Sequence, residues 1–184
     1  MPHGWEGTKV RLVPLDKTAH FDNAVAWIND PEVTAWTLVG DMPVGRLAEE
    51  EFFDRVARSD PVAAPAEVVF AVETLAGEHI GFTGIHRIDW RSGAGLTGTI
   101  IGRKELWGQG YGLDTARIRT VYAFDVLGLR LLLSEAMEGN EASVRMLARA
   151  GYRETGRIPR RYLKRGQYRD AILFALDREW WQRA

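Results

Sequence analysis

A chain of 184 residues is long enough for one domain with a sizeable core and short for two. Hydrophobic residues are 46 % and charged residues 27 %, the proportions of a globular protein, which exclude collagen-like, coiled-coil and disordered chains. A net charge of −1 provides no overall field towards nucleic acid or an anionic membrane, and the lack of cysteine excludes disulfides, thiolate nucleophiles and thiolate metal sites. Lys9–Pro14 alternates polar and apolar residues and stops at proline, the pattern of an edge strand. From Thr18 to about Thr37 the pattern is helical, restarting with Asp30 as N-cap and Pro31 at the first helical position. A further helix is expected from about Gly45 to Arg58. Its order of Glu49, Glu50 and Glu51 before Arg55 and Arg58 suits the helix dipole. Pro61–Pro65 reads as a loop.

Glu67–Thr74 and His79–Asp89 flank Ala76-Gly77-Glu78 as a hairpin, and Leu96–Gly102 is the next strand. A helix from about Gly112 to Phe124 can place Leu113, Ala116, Thr120, Val121 and Phe124 on one face. Arg130–Ala136 is apolar enough for the centre of a sheet. Asn140–Ala150 is a helix with Asn140 as N-cap and Gly151 just past its end. Tyr152–Leu163 and Gln167–Leu176 close the chain as a hairpin about Lys164-Arg165-Gly166, followed by a tail, Arg178–Ala184. The order β–helices–βββ–α–β–α–ββ predicts a single mixed α/β (α+β) domain with antiparallel hairpins around a central β–α–β–α passage. The four histidines, His3, His20, His79 and His86, have no metal-ligand spacing. There is no apolar signal core and no apolar run near ~18 residues, so a soluble cytoplasmic protein is expected.

The densest signal is Ile100–Gly112, a strand followed by Trp107-Gly108-Gln109-Gly110-Tyr111-Gly112 and a helix. Alternating glycines admit positive φ and remove Cβ atoms, so that successive N–H groups can converge on an anion at a positive helix end. A pyrophosphate fits that chemistry, and so does a tight turn with no ligand. No Lys-Ser or Lys-Thr follows, as a P-loop requires. The spacing G-x-G-x-G, past the middle of the chain, is a poor match to a Rossmann fingerprint.

This loop, with Asn140-Glu141-Ala142-Ser143, Gly151-Tyr152 and the earlier Asn29-Asp30-Pro31-Glu32-Val33-Thr34, resembles the GNAT acetyltransferases. Within them it is similar to the branch named for ribosomal-protein N-terminal alanine acetyltransferases, over about Thr8 to Leu176. Trp107 stands where the wider superfamily has Arg or Gln, which removes one phosphate cation. The resemblance implies a mostly antiparallel sheet flanked by helices, with a splayed central strand pair. It implies acetyl-CoA as co-substrate, with no metal, and a primary amine acceptor, either a protein N-terminus or a small amine, attacking directly in a ternary complex. Backbone groups of Ile100, Ile101 and Gly102 would pair with the pantetheine. N–H groups of Trp107, Gly108, Gln109, Gly110, Tyr111 and Gly112 would hold the pyrophosphate. Asn140 would bond the pantetheine arm or act as a plain N-cap, and Arg145 would neutralise a phosphate or face solvent.

Acetyl transfer to an amine needs a base, an oxyanion donor and an acid for the thiolate. A backbone N–H near Ile101 is the expected oxyanion donor. The tyrosine that many relatives use as acid is replaced by Leu147, and Ser143, one turn into the helix, is the candidate acid. For the base, Glu73, His86, Asp89, Glu135 and a water relay all stand open. A non-catalytic acyl-CoA-binding module of the same fold is the alternative reading. The cations Arg157, Arg160, Arg161, Lys164 and Arg165 read as a solvated hairpin rather than a nucleic-acid contact. Trp180 and Trp181 are expected to pack within the chain, with a homodimer contact as the alternative. Trp36 and Trp90 are candidates for a cleft wall, with most of the seven tryptophans expected in the core.

Overall fold

The computed structural model describes residues 5–57 and 64–181. His3, Arg58, the first half of the Pro61–Pro65 loop and the last three residues of the tail lie outside them. The elements are β1 (Val10–Pro14), α1 (Lys17–Ile28), α2 (Arg46–Ala57), β2 (Val68–Thr74), β3 (His79–Asp89), β4 (Ala94–Ile101), α3 (Tyr111–Val121), β5 (Leu131–Met137), α4 (Glu141–Arg149), β6 (Arg153–Lys164) and β7 (Gln167–Asp177). A 3-10 turn, Lys104–Leu106, precedes the glycine loop, and a π-helical turn, Tyr122–Val126, extends α3. The seven strands form one sheet in the order β1-β2-β3-β4-β5-β7-β6. Every pairing is antiparallel except β4–β5. This is the expected mixed fold.

The helix starts follow from local hydrogen bonding. Asp16 caps α1 by accepting from the Ala19 N–H (2.7 Å), and His20 Nδ1 accepts from the Asp16 N–H in return (2.9 Å). The helix expected after Asp30-Pro31 is instead a run of turns. Asp30 Oδ1 accepts from Glu32 N–H (2.8 Å) and only a single helical turn follows, from Thr34 N–H to Asp30 O (3.0 Å). The physical reason is Asn29. Its side-chain amide bonds Val25 O (2.9 Å) and both backbone groups of Val44 (3.0 and 2.9 Å), which folds the chain back before a second helix can propagate.

The main core lies between the sheet and α3 and α4, and includes Ile85, Ala116, Phe124, Leu132, Leu147 and Leu176. A second cluster joins β1–β3 to α3 through Val10, Val72, Ile80 and Ile118. On the opposite face Phe21, Ala24 and Phe53 pack α1 and α2 over Phe82. No tryptophan is fully buried. Trp36, Trp90, Trp107 and Trp180 are each about 40 % exposed, contrary to the expected core placement, because their rings lie over backbone or beneath a cation. Trp90 Nε1 donates to Pro65 O (2.9 Å), and Arg153 covers Trp180 at 4.2 Å. Trp181 packs edge-on to Phe124, inside the chain.

Beneath α1 lies a polar inclusion. His79 Nδ1 accepts from Asn23 Nδ2 (3.1 Å) and its Nε2–H donates to Gly81 O (3.0 Å). Its ring touches those of His20, Trp27 and Phe82. Burial, with the neighbouring His20, lowers its pKa from the ordinary 6.5 to about 4. Between these values the unfolded chain binds the proton and the folded chain does not. The stability is therefore complete above pH 6.5 and is lost as the pH falls towards 4, by about 3 kcal/mol. The pKa of Glu73 is lowered as well, but here the charged form is the one favoured. Its burial is outweighed by hydrogen bonds from Arg11 and His20, which hold it low, so its contribution is lost only at more acid pH. Urea midpoints measured from pH 7 to pH 4 should fall steadily in the wild type, and His79→Gln should flatten the curve over that interval. An unchanged slope in the variant would assign the loss to other groups.

Candidate functional site

The β4–β5 ladder has three registers, Ala94↔Leu131, Gly95↔Leu132 and Leu96↔Leu133, and then the strands part. Side chains stitch the vertex. Thr97 Oγ1 donates to Leu133 O (3.0 Å) and meets the Tyr152 hydroxyl (3.1 Å), and Ser134 Oγ donates to Thr97 O (3.2 Å). Beyond it, β4 keeps only its β3 neighbour. Gly102 N–H bonds Ile80 O (2.8 Å) and Thr83 Oγ1 bonds Gly98 O (2.9 Å), so the peptide groups of residues 98, 100 and 102 face β3. By strand alternation those of Thr97, Thr99 and Ile101 face the gap. Ile100 and Gly102, expected to pair with a ligand, are therefore turned away from it, and Thr99 takes their place beside Ile101. Trp107 Nε1 donates to Ile101 O (2.8 Å), leaving the Ile101 N–H on the open side.

Below the gap Arg119 of α3 is 1 % exposed, with no carboxylate partner among the described residues. Its Nη1 donates to Thr83 Oγ1 (2.8 Å), Gly98 O (2.9 Å) and Thr99 Oγ1 (2.7 Å). A cation on Gly98 O polarises the Gly98–Thr99 peptide and strengthens the Thr99 N–H as a donor.

The glycine loop closes the wide end of the gap. Gly108 and Gly110 have φ of 74° and 89°, and a Cβ at Gly108 would stand in open space. The first intrahelical bond of α3 is Asp114 N–H to Gly110 O (3.0 Å). The N–H groups of Gly108 through Leu113 have no acceptor among the described residues, and they surround the positive end of α3. Trp107 does not join them, since its N–H is engaged by Lys104 O (3.1 Å) within the 3-10 turn. Gln109 braces the loop through Nε2 on Glu105 O (2.6 Å).

Two residues at this loop escaped the sequence reading. Asp114, 8 % exposed, accepts from Thr8, Lys9 and Val10 N–H groups at 3.3, 2.7 and 3.1 Å, which fixes the start of β1 against α3. Lys9 therefore hangs over the loop, with its Nζ 5.4 Å from the Tyr111 ring centroid and its Cε beside Gly110. It has no carboxylate partner among the described residues. Nothing local in the sequence signals this, because the contact spans about a hundred residues.

At the β5 end, Asn140 Oδ1 caps α4 at the Ser143 N–H (3.1 Å), so the N-cap role is real and only its Nδ2 remains for a ligand. The Ser143 hydroxyl is half-buried with no partner among the described residues, and Arg145 is exposed. Leu147 is 1 % exposed and belongs to the core. Of the four base candidates, Glu73 is held by Arg11 (2.7 Å) and His20, and Asp89 by the N–H groups of Arg91 and Ser92. His86 and Glu135 stand on the face covered by α1 and α2, and Tyr162 donates its hydroxyl to Glu135.

The loop between α1 and α2 roofs this face and is tied at both ends. Lys104 pairs with Asp30 (3.0 Å) and with Glu32, and its hydrogen bond, with the Glu32 N–H, holds the Asp30 carboxyl below the ordinary range. At the other end Lys164, 6 % exposed, pairs with Asp41 (2.7 Å), and Arg165 donates to Pro31 O (2.6 Å). Of the hairpin cations expected to be solvated, Lys164 and Arg165 are thus engaged as a clamp, while Arg157, Arg160 and Arg161 are exposed.

The family model described as the acetyltransferase (GNAT) domain matches residues 9–153. The chain belongs to the GNAT acetyltransferase family. Among solved structures, the Vibrio cholerae spermidine N-acetyltransferase in complex with CoA and spermine is similar at a TM-score of 0.83. It has 18 % identity, with 93 % of this chain and 96 % of that one covered. A GCN5-related N-acetyltransferase from Brucella melitensis has a TM-score of 0.76 and 27 % identity, with 96 % and 79 % covered.

Gly112 provides a clean probe of the glycine loop. It lies inside α3, and a Cβ there would meet only Ile101 Cγ1, at 3.9 Å. Gly112→Asp removes a helix glycine and adds an acid at the helix start, so the fold should hold or gain up to about 1 kcal/mol. The same carboxylate would stand among the unengaged N–H groups of the loop, and the Kd for CoA should rise at least tenfold. Calorimetric Kd values equal to wild type would place the phosphates elsewhere.

Proposed function

We propose that the protein transfers the acetyl group of acetyl-CoA to a primary amine by direct attack in a ternary complex. The observation that carries this reading is the open β4–β5 gap running into a loop of unengaged N–H groups at a helix start. A pantetheine arm can add to β4 through Thr99 and Ile101 as an extra strand. The pyrophosphate then reaches Gly108 through Leu113, and Asn140 Nδ2 meets the arm from the β5 side. Lys9 supplies the cation that Trp107 does not. The N–H of Thr99 or Ile101 receives the oxyanion, and Ser143 gives its proton to the departing thiolate. The acceptor is a protein N-terminus, as in the ribosomal-protein alanine branch, or a small amine such as a polyamine. Support for the latter is the likeness in fold to a structure holding CoA and spermine. A non-catalytic acyl-CoA-binding module is favoured by one observation, the core leucine at position 147 in place of a tyrosine acid.

Turnover decides between the two. Acetyl-CoA consumption should be stimulated by spermidine or by a peptide with a free N-terminal alanine. Ser143→Ala should lower kcat by roughly 10²–10⁴ with little change in acetyl-CoA affinity. Binding of acetyl-CoA without turnover on any amine supports the module. A kcat within about threefold of wild type in Ser143→Ala removes that residue as the acid.

Lys9→Met tests the cation separately. The backbone N–H on Asp114 is retained, so the fold should be unaffected. The Kd for CoA should rise about tenfold, or about 1.4 kcal/mol, at low salt, and less at high salt where the charge is screened. Equal Kd values at low salt exclude a phosphate contact.

A further inference from the structure

We propose that His86, oriented by Glu67, is the base that takes the proton from the acceptor amine, over a floor made by Gly84 and Gly98. The proposal rests on the acetyltransferase reading above. His86 Nδ1 lies 3.0 Å from Glu67 Oε2. In the neutral imidazole that contact places the ring proton on Nδ1, where it donates to the carboxylate and leaves the Nε2 lone pair free. The ring leans along β3 over Gly84, and a Cβ there would stand 2.6 Å from Nε2. Gly84 pairs with Gly98 on β4, and a Cβ at Gly98 would meet nothing within 4 Å. Two paired glycines inside a sheet weaken it and mark a close approach from outside. The next peptide N–H after Gly98 is that of Thr99, which faces the gap. Neighbouring strands are about 4.8 Å apart. An amine seated over Gly98 is therefore one strand from His86 Nε2 and beside a thioester carbonyl held at Thr99.

The backbone places His86 deliberately. The β3–β4 register shifts between His86 and Asp89, and Arg87 has φ of 49°, a left-handed conformation for a non-glycine residue. Such strain costs on the order of 1–3 kcal/mol and gathers at working sites. An open concavity of about 450 Å³, lined by Ala66, Glu67, His86, Arg87 and Leu96, has room for the body of an alkylamine or a peptide N-terminus. The charged groups around His86 are Glu67, Arg55 of α2 on the same carboxylate (3.2 Å), Arg87, and Glu135 across the gap. Glu135 is the weaker base candidate, since it accepts the Tyr162 hydroxyl.

In the step, the ammonium of the acceptor gives a proton to His86 Nε2. The amine nitrogen attacks the thioester carbon, the C–N bond forms and the C–S bond breaks. The CoA thiolate takes a proton from Ser143 or water, which regains one from the second N–H of the attacking nitrogen as the amide forms, and the imidazolium returns its own to solvent. Glu67 is a positioning residue.

The test compares wild type, His86→Gln and Glu67→Gln, with acetyl-CoA and either spermidine or an alanine-initiated peptide, from pH 6 to pH 10. His86→Gln should lower kcat/KM by roughly 10²–10⁴ near neutrality, with the Kd for acetyl-CoA unchanged. The deficit should shrink as the pH rises through the pKa of the amine, since solvent then supplies the free base. Glu67→Gln should lose about tenfold and move the acid limb of the pH profile. Activity of His86→Gln within threefold of wild type, or a deficit equal at every pH, overturns the base and leaves the acetyltransferase reading standing. A wild type that binds acetyl-CoA and acetylates neither acceptor overturns both.

Discussion

The organisation of this protein depends on a parallel strand pair that is not allowed to finish. β4 and β5 share three registers, and the ladder is then replaced by side-chain bonds among Thr97, Ser134, Leu133 O and Tyr152. Unpaired strand edges invite another chain or strand. Here the edge is enclosed, so the group that can add to it is an extended ligand. Arg119 holds the β4 side of the gap from below. Its three bonds from Nη1 join β3, β4 and α3, and its Nε is the one buried side-chain polar atom without a partner among the described residues. A buried cation with no carboxylate is costly unless its donors are well used. Two of its acceptors lie at the Gly98–Thr99 peptide, whose N–H faces the gap.

The same economy of contacts sets the boundaries of the cleft. Asn29 turns the chain back towards Val44, Lys104 ties the roof to the glycine-loop side, and Lys164 with Arg165 ties it to the β6–β7 tip. The Lys104 pairs are exposed and contribute little to stability. The Lys164–Asp41 pair is different, because Lys164 is nearly fully buried and also donates to Val39 O, and its loss would leave Asp41 with the longer contact to Arg165 (3.6 Å). The roof is thus held firmly at the hairpin and loosely at the glycine-loop side.

Local periodicity made the element order and the edge position of β1 legible in the sequence, and glycine spacing made the loop legible. Asn140 and Gly151 marked the ends of α4 through capping chemistry that acts within a few residues. What stayed hidden is non-local. The sequence cannot show which alternate peptide groups of β4 face the gap, since that follows from pairing with β3. Thr99 was therefore missed, while Ile100 and Gly102 were expected there. Lys9 was missed for the same reason, because only the Asp114 carboxylate brings it to the glycine loop. The tryptophans misled for another reason. Their size suggests core, but a ring can cover backbone at a glycine, as Trp36 does at Gly139, and keep one edge in water.

The distribution of charge across the gap gives the arrangement its direction. On the cofactor side the unengaged groups are N–H donors, the α3 dipole and Lys9, which favour an anion. On the acceptor side the groups nearest β3 and β5 are Glu67, His86 and Glu135, which favour a cation or accept a proton. Between them Gly84 and Gly98 present bare backbone. A cationic amine approaching over those glycines moves from carboxylates towards a site polarised for negative charge, and must lose its proton on the way. His86 lies at the step between the two fields, and its partner Glu67 is shared with Arg55. Replacing the two glycines with alanine should therefore impair the acceptor more than CoA. An increase in acceptor KM without a change in CoA Kd for Gly98→Ala would show that the amine crosses this floor, and equal effects on both would place its path elsewhere.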